Sequence, residues 1–216
     1  MHRKNRRTMA VPISEAGTAM SPSSEALVVA VLLGSVRRDR QGIKAARLLM
    51  RTLRERGHEP VLVDPLETPL PLLDRMYKEY PKGEAPALLE DLATLYRRAD
   101  GFVIVSAEYN NGMPPALKNL LDHFLEEYFW RPSAIVCYSA GQFGGVRAAM
   151  QLRMTLAELG MSSVPSLFPI PRIGSALADD GTPQAAWMHD ALARFLAEFE
   201  WYARALKRQR AGGTPY

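Results

Sequence analysis

Apolar positions along the chain follow two periods that take turns. Residues 27–33, Leu-Val-Val-Ala-Val-Leu-Leu, form an unbroken apolar run ending at Gly34, the pattern of a strand buried on both faces of a parallel sheet. From Gly42 the period becomes helical: Ile43, Ala46, Met50 and Leu53 share one face, Arg47, Arg51 and Arg54 another, and Gly57 closes the helix. The alternation then repeats. A second strand is predicted at 60–63, a helix at 86–99 and a third strand at 101–105. Pro114-Pro115 opens a helix in which Leu117, Leu120, Leu121, Phe124 and Tyr128 keep helical spacing. Proline suits a first helical turn because that N–H has no intrahelical partner. A fourth strand is expected at 133–138, a helix at about 145–159, a fifth strand at about 162–167, and a long amphipathic helix at 184–207 through Met188, Ala191, Phe195, Phe199, Tyr202 and Leu206.

Strands that alternate with helices imply parallel neighbours, because each parallel connection needs a crossover and the crossovers cover both faces. The expected fold is therefore α/β: a flavodoxin-like, doubly wound five-stranded parallel sheet of order 2-1-3-4-5 with helices on both faces. In that order a ligand sits beyond the carboxyl ends of the strands, at the switch between strands one and three. The loops after strands one, three and four are the places to look for chemistry. Residues 65–85, rich in proline and carrying Tyr77 and Tyr80, form a long connection of the kind used as a lid or partner surface.

Length and charge refine this picture. At 216 residues the chain suffices for one full-sized core. Residues 1–25, rich in Ser, Ala, Pro and basic groups, bury too little apolar surface to repay ordering and are expected to be a flexible extension; the domain spans 26–208, with a flexible tail at 209–216. The formal charge of +4 is uneven: residues 1–24 carry four basic side chains against Glu15, and residues 204–216 carry four against none, so the segment between them is net acidic. The basic balance belongs to the tails, which argues for solvated ends over a nucleic-acid or membrane surface. Arg6-Arg7 near the start resembles an export signal, but no long apolar run follows it. No stretch reaches the roughly 18 apolar residues of a membrane helix. One cysteine, Cys137, excludes an intramolecular disulfide and fits a reducing, cytoplasmic setting; no histidine spacing suggests a metal.

The first loop reads Gly34-Ser35-Val36-Arg37-Arg38-Asp39-Arg40-Gln41-Gly42 and runs straight into a helix. A helix N-terminus offers unpaired N–H groups and the positive end of its dipole, Ser35 adds a hydroxyl, and Arg37 or Arg40 adds a charged contact, so a phosphate is stabilised there. The loop is neither a Walker A sequence nor GxGxxG, and by itself it also reads as a plain turn with its arginines in water. After strand three, Glu108-Tyr109-Asn110-Asn111-Gly112 offers a π surface and amides to a planar heteroaromatic ring, or else a polar turn capping the next helix. After strand four, Ser139-Ala140-Gly141-Gln142-Phe143-Gly144-Gly145 lets backbone approach a ligand closely, or is a mobile turn. Three such loops at neighbouring strand ends make one shared site the economical reading. Lys118 and Asp122 lie four apart and should pair on the helix surface. Cys137 and His123 read as packing residues, and the three tryptophans as core or subunit contacts.

With those motifs in view, the chain resembles the NADPH-dependent FMN reductase family, whose members include flavin, quinone, azo-dye and chromate reductases. The resemblance covers about 27–200. It rests on Gly34-Ser35-x-Arg37, on Glu108-Tyr109-Asn110 followed by Pro115-x-Leu117-Lys118-Asn119-x-x-Asp122, and on the glycine-rich loop 141–145. It implies that Ser35, Arg37, Arg40, Gln41 and Gly42 hold the FMN phosphate, that Glu108, Tyr109 and Asn110 line the isoalloxazine, and that Ser139, Gly141, Gln142 and Gly144 meet its edge. It implies no side-chain nucleophile and no metal. The cofactor is FMN, with NADPH or NADH as co-substrate; the partner is a small-molecule electron acceptor, and the assembly a homodimer or homotetramer. The expected cycle is ping-pong: the nicotinamide passes a hydride to flavin N5 and leaves, and the acceptor takes its place, with Tyr77, Tyr80 and Met113 or their counterparts from a second subunit flanking the cleft. The alternatives are a flavodoxin-like one-electron carrier and a non-redox nucleotide-binding regulator.

Overall fold

The computed structural model describes residues 25–216. Five strands, β1 (Val28–Leu33), β2 (Glu59–Val63), β3 (Gly101–Ala107), β4 (Pro132–Tyr138) and β5 (Ser162–Ile170), form one sheet in the order β2-β1-β3-β4-β5, every pair parallel. This is the expected flavodoxin-like architecture. The helices are α1 (Gly42–Glu55), α2 (Ala87–Arg98), α3 (Pro115–Asp122), α4 (Val146–Glu158), the short α5 (Ile173–Ala176) and α6 (Trp187–Ala211).

The continuous apolar run of β1 resolves into two sets. Val29, Val31 and Leu33 join a core with α1 and α6 on one face, and Ala30 and Leu32 join a second core with α2, α3 and α4 on the other. Successive side chains of a strand point to opposite faces, so a strand covered on both sides must be apolar at every position. α1 ends at Gly57, which at φ 81° accepts the left-handed turn while Gly57 N–H bonds Arg54 and His58 N–H bonds Leu53, at 2.9 and 3.0 Å. β5, an edge strand, carries Pro165 and Pro169, and its register against β4 shifts between Ser133 and Ile135. Proline, with no N–H to give, belongs at such an edge.

Several elements differ from expectation. The helix opened by Pro114-Pro115 stops at Asp122, and Glu126–Tyr128 form a separate 3-10 turn. His123 Nδ1 lies 2.7 Å from the Asn119 carbonyl, the acceptor that the next helical N–H would use. Phe124 and Tyr128 still reach the same aromatic cluster with Tyr96 and Phe102, so their spacing reported burial and not a continuous helix. β5 runs three residues beyond 167, α5 follows it, and α6 begins at Trp187, three residues after 184. At the C-terminus α6 continues to Ala211 and the ring of Tyr216 lies 4.9 Å from that of Trp130. Residues 1–24 of the expected flexible extension lie outside the described residues; Glu25 pairs with Lys207 at 2.8 Å.

The 65–85 connection is fastened down. Asn119 accepts the Leu73 N–H at 2.9 Å and donates to the Pro71 carbonyl at 2.8 Å, Tyr77 N–H bonds the His123 carbonyl, and the Tyr77 hydroxyl bonds Glu90.

Candidate functional site

The carboxyl ends of β1, β3 and β4 surround a cavity of about 280 Å3 at the switch between β1 and β3. Ser35, Arg37, Arg40 and Gln41 line it from the first loop, Glu108 and Tyr109 from the second, and Ser139 from the third. Seven of the expected residues are thus brought to one place by sheet order alone. Gly42 backs the cavity through Tyr138. Asn110, Gly141 and Gln142 are exposed on the surrounding loops and do not line the cavity, and Gly144 is buried beneath the third loop against Pro169 and Pro171.

The first loop meets the requirements of an anion site. α1 has no acidic residue in its first turn, and Gln41 at its cap position makes no side-chain capping bond, so the positive end of the helix is left unanswered. The backbone N–H groups of Asp39 and Gln41 meet no acceptor among the described residues. Arg37 is exposed and forms no ion pair among the described residues. Arg40 differs: its guanidinium grips Asp64 at the end of β2 with both terminal nitrogens and also donates to the Ser35 carbonyl at 3.1 Å. Asp64 is 4% exposed, so the charge of Arg40 is already answered inside the protein, and the residue ties the first loop to β2. These groups fit a phosphate: unpaired N–H donors, a hydroxyl and one uncommitted guanidinium.

Ser35 and Tyr109 touch. Their hydroxyls are 2.8 Å apart, so the expected phosphate end and the expected ring end of the site meet through one hydrogen bond. Tyr109 is placed by a tight turn in which Tyr109 and Gly112 exchange backbone bonds of 2.8 and 3.0 Å while Asn110 and Asn111 take φ values of 50° and 67°. Asparagine tolerates the left-handed region better than other side chains, which is why an Asn-Asn pair serves here. Glu108 works outward: its carboxylate accepts the N–H groups of Arg147 at 2.9 Å and Ala148 at 3.3 Å and pairs with the Arg147 guanidinium at 3.2 Å. It thereby caps α4, whose cap position is a glycine, and joins the second loop to the third. Gly145, at φ 81°, makes this closure possible; a Cβ there would stand 2.7 Å from the backbone N and O of Tyr138.

The other residues that the sequence singled out fall away from the cavity or into the core. Lys118 and Asp122 form their surface ion pair. Cys137 is fully buried, and burial pushes its thiol up to about 12, which keeps it inert. His123 is buried at the end of α3. Trp187 and Trp201 are more than half exposed, so they are not core residues. Tyr77 and Tyr80 line a different recess, with Glu90 and Arg97, and do not flank the cavity within this chain. Asp39, Ala107, Tyr138, Ala140 and Ile173 line the cavity without having been expected there, and Asp64 behind Arg40 was missed as well. Tyr138 closes the fourth strand, where the rule that ligands sit beyond strand ends would have found it. Ile173 and Asp64 follow the fifth and second strands, whose ends the switch-point argument did not single out.

A family model described as NADPH-dependent FMN reductase matches residues 27–174. A quinone reductase of Pseudomonas putida is 30% identical over 197 residues, covering 87% of this chain and 99% of its own length. A quinone reductase of Escherichia coli (strain K12) is 34% identical over 140 residues, covering 63% of this chain and 72% of its own. Among solved structures, the flavoenzyme NAD(P)H:(acceptor) oxidoreductase FerB of Paracoccus denitrificans superposes with a TM-score of 0.69 at 22% identity, covering 83% of this chain and 98% of its own, which is a likeness of fold.

Proposed function

Because the chain belongs to the NADPH-dependent FMN reductase family and is an NAD(P)H-dependent oxidoreductase with FMN as cofactor, we propose that it reduces a small acceptor of the quinone type in a ping-pong cycle, with both substrates using one open cleft in turn. The quinone class is suggested by the two relatives named as quinone reductases. The observation that carries the reading is the cavity at the β1–β3 switch, with an unanswered helix N-terminus and the free Arg37 on one side and Tyr109 and Ser139 on the other. When bound, FMN supplies a ring that accepts a hydride from the nicotinamide and passes electrons onward.

The roles of this chain's own residues follow from their surroundings. Ser35, Arg37 and Gln41, with the first N–H groups of α1, hold the phosphate; with Tyr109 as donor in the Ser35 contact, the serine proton stays free for a phosphate oxygen. Tyr109 and Ser139 border the ring. Arg40 and Glu108 are positioning residues that hold the first loop to β2 and the second loop to α4. A homodimer or homotetramer is the proposed assembly; exposed Met150 and Met154 on α4 and Trp187 and Trp201 on α6 give it apolar surface to bury.

The test is spectroscopic and kinetic. Purified protein titrated with FMN should show a perturbed flavin absorption, and the loaded protein alone should oxidise NADPH with a quinone as acceptor. Replacing Ser35 and Arg37 together by Ala should weaken FMN binding by more than tenfold, since hydrogen bonds to a charged group contribute about 1.5–3 kcal/mol each, while the melting midpoint of the flavin-free protein holds. Unchanged FMN affinity in that double variant refutes the phosphate assignment.

A further inference from the structure

Tyr138, the last residue of β4, is 5% exposed, lines the cavity, and its hydroxyl has no hydrogen-bond partner among the described residues. The Ser35 hydroxyl and the first residue of α1 lie beside it, but Ser35 is engaged with Tyr109 and neither completes a bond of acceptable geometry to Tyr138. A buried hydroxyl without a partner is costly, and natural proteins keep one where a ligand or water completes it. Burial pushes this phenol up to about 12, so at every working pH it carries its proton and is a donor.

Its position says what it would donate to. A Cβ added at Gly42 would stand 2.7 Å from Cζ of Tyr138 and closer still to its oxygen, so the phenol tip is tucked against the first residue of α1. That is where the helix presents its positive end, and its first turn holds no acidic residue. Gly42 is therefore glycine because Tyr138 fills the space its side chain would take.

Resting on the FMN reading of the cavity, we propose that Tyr138 is a ligand-binding residue whose hydroxyl donates to an oxygen of the FMN phosphate, beside Ser35 and beneath the N-terminus of α1. The loop after β1, the start of α1 and the last residue of β4 then share the phosphate site.

Flavin fluorescence titrations of apoprotein with FMN and with riboflavin, which lacks the phosphate, test this in the wild type and in Tyr138→Phe. The expected result is a loss of FMN affinity of about tenfold or more in the variant, in line with the worth of a hydrogen bond to a charged group, and unchanged riboflavin affinity. The flavin-free variant should melt no lower than the wild type, because the substitution removes only an unsatisfied group. Equal FMN affinity in the two proteins overturns the assignment of Tyr138 and leaves the FMN reading intact. An equal loss for FMN and riboflavin moves the hydroxyl to the sugar chain or ring and overturns the phosphate contact. A wild type that takes up no FMN overturns the parent reading, and this one with it.

Discussion

Arg37 and Arg40 are the same residue type three positions apart, and their surroundings give them different work. Arg40 is matched by a buried carboxylate, whereas Arg37 stands exposed over the cavity without an ion pair among the described residues. Removing one member of a buried pair strands the other charge, at a cost of about 3–5 kcal/mol. Arg40→Ala should therefore lower the chemical-denaturation stability by an amount of that order, with Asp64 left unpaired. Arg37→Ala should leave stability within about 0.5 kcal/mol and act on FMN affinity alone. If denaturation curves show the two variants equally destabilised, the division of labour is wrong. The sequence offered both arginines to the phosphate, because the partner that separates them, Asp64, arrives from another strand. It singled out the Ser35–Arg37 loop and the Tyr109 loop through their joint position at neighbouring strand ends, and it missed Tyr138, since an aromatic at the end of an apolar run looks like more core.

At the scale of elements, the loops that form the site are held by side chains reaching back from helices. Asn119 spans two backbone groups of the β2–α2 connection, and Glu108 caps α4. Asn119→Ala should free residues 71–74: hydrogen exchange there should accelerate and global stability should fall by about 1–3 kcal/mol. FMN affinity should not change, because Asn119 does not line the cavity at the β1–β3 switch. Protection of 71–74 equal to that of the wild type counts against the latch. The five strands and the five main helices were readable, because short unbroken apolar runs and the 3.6 period distinguish themselves, whereas the short α5 was not. The ends were less readable. α3 stops where the His123 ring takes a carbonyl, a competition between side chain and backbone that no periodicity records.

At the scale of the molecule, the site occupies one end of the sheet and a charged cluster the other. α1 connects them, its 14 residues spanning about 21 Å. At the far end Glu200 of α6 pairs with Arg56 and lies 3.0 Å from His58 Nε2, while Asp100 accepts the Val28 N–H and pairs with Lys207. Burial would raise the Glu200 carboxyl, but its contacts with His58 and Arg56 and the charge of Arg56 outweigh burial and hold it at about 2, below the ordinary 4.5. A depressed carboxylate contributes stability that is present above about 4.5 and is lost as pH falls toward about 2. Glu200→Gln should cost on the order of 2 kcal/mol at neutral pH and flatten the acid limb of the melting profile in that window, with FMN affinity unchanged at pH 7. A wild-type and variant profile running parallel through the window contradicts this. By itself, the sequence determined the number of strands, the two-sided burial of the sheet and the three loops that meet at the cavity, because these are recorded in local periodicity and in residues that follow one another. Only the tertiary structure decided which charges were already paired, which glycine yields to which ring, and that the Tyr138 hydroxyl is buried against the first residue of α1 without a partner among the described residues. Those outcomes depend on groups far apart in the chain meeting at a strand end, and whether a polar atom is satisfied is a property of that meeting.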